Sequence, residues 1–409
     1  MTEARKNCSV CKGDPSKCHP PRCPQRTKLF ALNEARHLWK EETNFDGANP
    51  PSFFVGSTNY PKVNVTPMIS LDMTNAPIID EPDTWRTQHS IPEVVRFRTN
   101  LIRAQGRRVD ARAVADLNDR LLTQSQELVL ATNPVTTSLE LEKPIDYQLR
   151  FSTFTQPIGP KGTVKRLTLE DTPKIDQRVE YITSDIDLLA KGAIEQLYNH
   201  GLSVTRVNRI MSAGLLGLKD QRKLVPTRWS ITATDDQVGQ HLMEKVRNYP
   251  EVDKVLVYES YYLDNHFMTT IVPHEWSFEL LEAWGEPGQQ GNVLGDFETG
   301  KGRTNYASNT AGGYYAARLA VLEHLNKIKR QGRVFCWRYI GSGYFLPLGV
   351  WQVRENLRQG FTTPPKQFDD LKQTFQYLET RLKLPLSAYT HASKLLKIKT
   401  RQRTLQSYL

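Results

Sequence analysis

Apolar positions along this chain change period several times, and each change predicts an element. In "DARAVADLNDRLLTQSQELVLAT" (residues 110–132) they recur at helical spacing. "SDIDLLAKGAIEQLYNHG" (184–201) does the same, with Ser184 placed to cap its start and Gly201 to end it. "TRWSITATDD" (227–236) and "DKVLVYESYYL" (253–263) are rich in β-branched and aromatic residues and predict strands, with a helix, "DDQVGQHLMEKVRN", between them. "HFMTTIVPHEWSFELLEAW" (266–284) predicts a strand that turns into a helix. Further on come a helix, "TAGGYYAARLAVLEHLNKIKRQG" (310–332), a strand, "RVFCWRYI" (333–340), and a last helix near residues 366–383. Cys336, between Phe335 and Trp337 in that strand, reads as a core residue.

Between these lie less regular stretches. "KLFALNEARHLWKEE" (28–42) suits a short helix, and the Pro- and Asn-rich residues 44–92 predict loops with short strands. The glycine-rich "GEPGQQGNVLGDFETGKG" (285–302) marks a domain boundary. Without regular βα alternation, the mixture predicts an α+β (mixed α/β) fold with a short N-terminal zinc-binding module. Its expected parts are that module (1–28), a large N-terminal domain (29–290), a smaller C-terminal domain (291–390) and a basic tail (391–409).

Charge changes the picture. The formal net charge is +10, but residues 1–28 hold seven Lys/Arg against two acids, and residues 380–409 hold seven against none. The basic character sits at the two ends of a nearly neutral body, which suits local phosphate contacts; basic tails that only aid solubility are the competing reading. No run approaches the ~18 apolar residues of a membrane span, and the N-terminus has no apolar signal core. A cytoplasmic, nucleoid-associated protein is expected.

Four of five cysteines fall in "CSVCKGDPSKCHPPRC": Cys8, Cys11, Cys18 and Cys23. A C-x-x-C knuckle and a looser second pair, with bends from Gly and Pro, suit tetrahedral Zn²⁺ held by four thiolates. So short a segment has no core of its own, and metal binding would supply its folding energy. A closed site of this kind is structural. His19 could replace one ligand, and an iron–sulfur cluster is the other metal reading; disulfides suit a reducing compartment poorly.

Other motifs bear on chemistry. "GDFETGKG" stops one residue short of a P-loop, with Gly302 where Ser or Thr would hold Mg²⁺, so it reads as a glycine-rich connection in which Lys301 and Arg303 could meet an anion. Arg222, Lys223, Arg228 and Trp229 form a basic cluster with an aromatic that could contact phosphate and stack on a base. Asp235 and Asp236, at the expected strand end, are the candidates for catalysis with a second divalent metal, or else cap the next helix. Arg338 is a further phosphate candidate. No Ser/His/Asp set and no H-E-x-x-H motif stands out.

The chain ends on Gln402-x-x-Leu405-x-x-Tyr408-Leu409. Offsets of three and four put the last three anchors on one helical face, and the pattern resembles the peptide that plugs the apolar pocket of the sliding clamp PCNA, with Leu409 where many copies have a second aromatic. With the cysteine cluster, "GLSVTRVNRIMSAGLLGLKDQRKLVPTRWSITATDD", "GKGRTNYASNTAGGYYAARLAVLEHL" and "GSGYFLPLGVWQVRE", the whole chain resembles the archaeal Nre family of DNA repair proteins. The resemblance implies a role in DNA damage repair, recruitment by PCNA through Gln402, Leu405, Tyr408 and Leu409, zinc at the four cysteines, and a division near residues 285–300. It carries over no catalytic residue. Three readings follow: a clamp-recruited DNA-binding repair factor, a metal-dependent nuclease or other nucleic-acid-processing enzyme, and a non-catalytic repair adaptor.

Overall fold

A computed structural model describes residues 42–70, 72–85, 88–113, 119–145, 159–285 and 291–398, together with Cys23, Thr27, Ala31 and Glu34. Cys8, Cys11 and Cys18, and the terminal Gln402, Leu405, Tyr408 and Leu409, lie outside these residues. The chain forms two compact units, Met1–His241 with Phe345–Gln352, and Leu242–Tyr344 with Val353–Leu409. Among the described residues, no helix is long and apolar enough to cross a membrane.

The first unit holds a seven-stranded sheet: β1 (Asn44–Asn49), β2 (Phe53–Val55), β3 (Lys62–Ser70), β4 (Leu101–Gln105), β5 (Arg108–Asp110), β6 (Val135–Leu141) and β7 (Lys161–Leu169). Strands β1 and β2 run along one edge of β3, with Ala48 opposite Ser70 and Phe53 opposite Pro67, so they act as one bent strand. Along the other edge β4 and β5 do the same, with Ile102 opposite Ile69 and Val109 opposite Val63. Counted this way there are five strands. β1 pairs antiparallel with β6, β6 antiparallel with β7, and β7 parallel with β4, which closes the ring through β3 back to β1. Helix α3 (Arg120–Leu130) joins the third strand to the fourth, after α1 (Pro82–Trp85) and α2 (Ile91–Thr99) in the preceding connection. A closed five-stranded Greek key with this order is the topology of the oligonucleotide- and oligosaccharide-binding barrel.

The sequence builds this barrel by alternation. In β3, Val63, Val65, Pro67 and Ile69 are buried, while Lys62, Asn64 and Met68 lie on the other face. Ile69 meets Phe45, Ile102, Leu139, Leu167 and, from α3, Leu128 in one core. Each such side chain fully buried stabilises the fold by about 1.5–3 kcal/mol. Closure also needs Gly47, where a Cβ would meet the Ser70 carbonyl oxygen at 2.5 Å and the Ile69 side chain at 2.9 Å. Helices α4 (Gln177–Ser184), α5 (Ala190–Asn199) and α6 (Val204–Ser212) follow, and then α7 (Thr227–Val246).

The second unit is a six-stranded sheet in the order β11-β10-β12-β9-β8-β13. Its strands are β8 (Val255–Tyr262), β9 (Asn265–Val272), β10 (Ser277–Trp284), β11 (Asn292–Glu298), β12 (Arg333–Ile340) and β13 (Lys366–Phe368). Among the described strands of this sheet only β10 and β12 pair in parallel. Helix α8 (Gly312–Ile328) connects β11 to β12 and is buried at every position from Gly313 to Leu322, as its all-round apolar sequence requires. Helices α9 (Trp351–Gly360), α10 (Leu371–Arg381) and α11 (Leu386–Ala392) follow β12 among the described residues.

The α+β expectation holds, and several elements differ from their sequence reading. "TRWSITATDD" is not a strand but the start of α7. Its buried stripe is Ser230, Thr234, Val238, Leu242 and Val246, every fourth residue, and the first two do not register as apolar. "SFELLEAW" is β10, not a helix: seven of its eight residues are buried between two neighbouring strands, and that packing overrides its Leu, Glu and Ala helix preference. The helix expected over 110–132 begins at Arg120, where the Asp119 carboxylate accepts from the Leu122 amide; Asp110 ends β5. Ser184 ends α4 and does not cap α5, whereas Gly201, at φ 98°, closes α5 as expected.

Candidate nucleic-acid interface

The outer face of the barrel carries a groove of about 390 Å³. Strand register sets its walls. Phe54 stands opposite Thr66, Arg108 opposite Asn64, and Arg103 between Met68 and Lys161. Gln105 adds to the floor, and the β2–β3 loop contributes Gly56, Thr58 and Asn59 at one end. Asn59 takes φ 67°, a left-handed turn conformation that Asn tolerates, and its carbonyl accepts from the Lys62 amide at 2.9 Å.

The electrostatics of this groove are one-sided. Three cations line it, Arg103, Arg108 and Lys161, and no carboxylate does. Among the described residues none of the three has an ion-pair partner. Arg108 and Lys161 are exposed; Arg103 is half-buried, and its Nε donates to the Gly159 carbonyl at 3.0 Å. Burial lowers its pKa, but a guanidinium stays charged in proteins. Gly159 packs so closely on the Leu101 carbonyl that a side chain there would collide with backbone, and this close approach holds Arg103 in place. An unpaired, partly desolvated row of cations above a polar floor can bind an anion in register with that row.

At the Asn59 end the next residue, Tyr60, meets Trp229 with ring centroids 5.0 Å apart. Trp229 is 47% exposed at the start of α7, and Val55 ties this helix to the barrel by donating its amide to Thr227 Oγ1 at 2.9 Å. Lys223 and Arg228 are exposed nearby in sequence. Arg222 faces inward, where Nε and Nη2 donate to the carbonyls of Gly217 (2.9 Å) and Asp185 (2.7 Å). Of the predicted basic cluster, three members are therefore available to a partner and one is structural.

The other candidates are placed differently. Asp235 and Asp236 lie within α7, where consecutive side chains point about 100° apart and do not converge. Asp235 is fully buried, and Asp236 accepts from Gln240 Nε2 at 2.8 Å. Among the described residues no group of three or more His, Cys, Asp or Glu is arranged to hold a metal ion. Cys23 is buried, and Cys336 is a core residue whose thiol burial pushes up to about 12. In "GDFETGKG", Gly295 to Glu298 belong to β11 and the rest is a turn closed by the Gly302 amide on the Thr299 carbonyl, with Lys301 exposed. Arg303 is engaged by the carbonyl of Phe297 (2.7 Å) and the carboxylate of Asp296 (3.3 Å). Arg338, 6% exposed, pairs with Glu282 and donates from Nε and Nη2 to Asn265 Oδ1.

Sequence reasoning missed the groove residues. Their signal was present in the alternation of "KVNVTPMIS" and "LIRAQ", where the polar members share one face, but the strand pairing that gathers them into one wall is long-range.

The chain thus combines a closed Greek-key barrel, which bears an open cationic groove, with a second α/β unit. The family model for "Archaeal Nre, N-terminal" matches residues 18–288 and that for "Archaeal Nre, C-terminal" residues 298–408. DNA repair protein NreA of Archaeoglobus fulgidus is 36% identical over 366 residues, 88% of this chain and 90% of that one. DNA repair protein NreB of the same organism is 33% identical over 409 residues, 98% of this chain and all of the relative. DNA repair protein NreA of Haloferax volcanii is 36% identical over 326 residues, 77% of each chain. The chain belongs to the archaeal Nre family of DNA repair proteins. No solved structure matches it.

Proposed function

We propose that this chain is a DNA repair factor that binds DNA on the groove of its barrel and is delivered to the sliding clamp PCNA by its C-terminal motif. The observation that carries the reading is the row of unpaired cations, Arg103, Arg108 and Lys161, in a member of a DNA repair family. The motif at Gln402, Leu405, Tyr408 and Leu409 supports recruitment: its three apolar anchors are spaced by three and four in sequence, and the run before them is basic, suited to DNA or to an acidic clamp surface. In this reading Cys8, Cys11, Cys18 and Cys23 hold a structural zinc ion, and the protein works at the nucleoid. A nuclease centred on Asp235 and Asp236 lacks converging carboxylates.

Deleting Gln402–Leu409 is expected to abolish PCNA binding by calorimetry while leaving the thermal transition in place. Unchanged clamp affinity would remove the recruitment role. DNA affinity is expected to fall steeply between about 50 and 200 mM salt, and a flat salt response counts against backbone binding.

A further inference from the structure

The cations of the groove explain attraction to any nucleic acid, but the rest of its lining is more selective. Its floor, Asn64, Thr66 and Gln105, is uncharged and able both to donate and to accept hydrogen bonds, and Phe54 offers an aromatic face. Groups of this kind serve base edges and base faces, not phosphates. A duplex turns its phosphates outward and keeps its bases stacked inside, so it could touch the cations but neither the floor nor Phe54. A cavity of about 390 Å³ is on the scale of a small-ligand site. It admits unpaired bases individually.

The groove does not end at Asn59. Tyr60 carries the surface on to Trp229, a large aromatic left half-exposed although the Val55–Thr227 hydrogen bond fixes its helix against the barrel. An exposed Trp costs apolar hydration, and among the described residues Tyr60 is the ring that meets it. Arg228, beside it in sequence, is exposed. Alternation of cation, aromatic and cation along a continuous surface is the arrangement that tracks a single strand, with phosphates on the charges and bases on the rings.

We infer that this site takes single-stranded DNA, with the strand running through the groove past Phe54 and out over the Tyr60–Trp229 pair. The inference rests on the DNA-binding reading above and narrows its substrate to an unpaired strand. The residues that decide single strand over duplex are Phe54 and Trp229, while Arg103, Arg108 and Lys161 serve both.

The test is fluorescence anisotropy on the full chain with a ~15-nucleotide oligothymidylate and with a duplex of the same length. The single strand is expected to bind at least about tenfold more tightly. Trp229→Ala is expected to lower single-strand affinity at least about fivefold and leave duplex affinity unchanged, with Trp229→Phe restoring most of the loss. The combined Arg103→Ala, Arg108→Ala and Lys161→Ala variant is expected to weaken binding to both and to reduce the salt slope for the single strand by about 2. Equal affinity for strand and duplex, or single-strand binding unmoved by Trp229→Ala, overturns the single-strand inference; if the triple variant still loses binding, the groove as a DNA site survives. A triple variant that binds both as the parent does overturns the groove reading itself. Thermal transitions of all variants within a few degrees of the parent exclude misfolding as the cause.

Discussion

The groove of the barrel and the interior of the second unit use their arginines in opposite ways. In the second unit, Arg318 pairs with Glu298 at 2.9 Å and Arg338 with Glu282, all four side chains being buried, and Arg358 reaches both Glu323 (2.7 Å) and Glu355 (2.6 Å). Every one of these charges is consumed by the fold. On the barrel, Arg103, Arg108 and Lys161 face a groove without a carboxylate. The difference teaches how to read an arginine: Arg338, in a strand, and Arg303, in a loop, both looked like phosphate ligands, and both are structural. A cation signals a ligand when the fold has left it without a counter-charge in a concavity, not when it sits in an attractive sequence.

This contrast can be broken from either side. The largest effect belongs to the buried pairs: Glu282→Ala takes a buried carboxylate partner from Arg338 and is expected to cost about 3–5 kcal/mol in urea unfolding. A cost below about 1 kcal/mol would mean that Arg338 can reach solvent or another acid. Next comes acid sensitivity in the same unit. His324 is 7% exposed, stacked on Phe361 with centroids 4.2 Å apart, with Nε2 2.9 Å from the Tyr258 hydroxyl, and burial lowers its pKa from 6.5 to about 4. The unfolded chain therefore binds more protons between those values, and the stability present above pH 6.5 is lost as pH falls toward 4. The loss is at most about 1.4 kcal/mol per pH unit. His324 alone is expected to contribute about 2 kcal/mol to the change in unfolding free energy between pH 7 and 5, and His324→Phe should shrink the measured change by about that much. The smallest effect is expected in the groove, where replacing Arg103, Arg108 and Lys161 by Ala should change stability by less than about 0.5 kcal/mol each. A large loss there would show that these cations support the barrel.

Much of the second unit was legible in sequence, because "DKVLVYESYYL" and "RVFCWRYI" are rich in β-branched and aromatic residues and the long α8 segment runs apolar and helix-favouring well beyond the length of a strand. β10 was not, because a strand buried on both faces loses its alternation and Leu281, Glu282 and Ala283 then favour helix locally. α7 was misread because β-branched Ile231, Thr232 and Thr234 imitate a strand. For the site, Trp229, Arg228 and Lys223 were legible as an aromatic among cations. The groove was not, since Phe54, Arg103 and Lys161 are separated by up to 107 positions and meet only through register.

Closure of the ring at Gly47 has a consequence for the protein's life in solution. A barrel has no free edge, whereas the same strands left as an open, curled sheet present two rows of unsatisfied amides and carbonyls that invite a second copy. The one hydrogen atom that stands for a side chain at Gly47, against the Ser70 carbonyl and Ile69, is what keeps the β1 and β3 edges shut against each other. Closure of the barrel edge thus depends on a position with neither a side chain nor a charge.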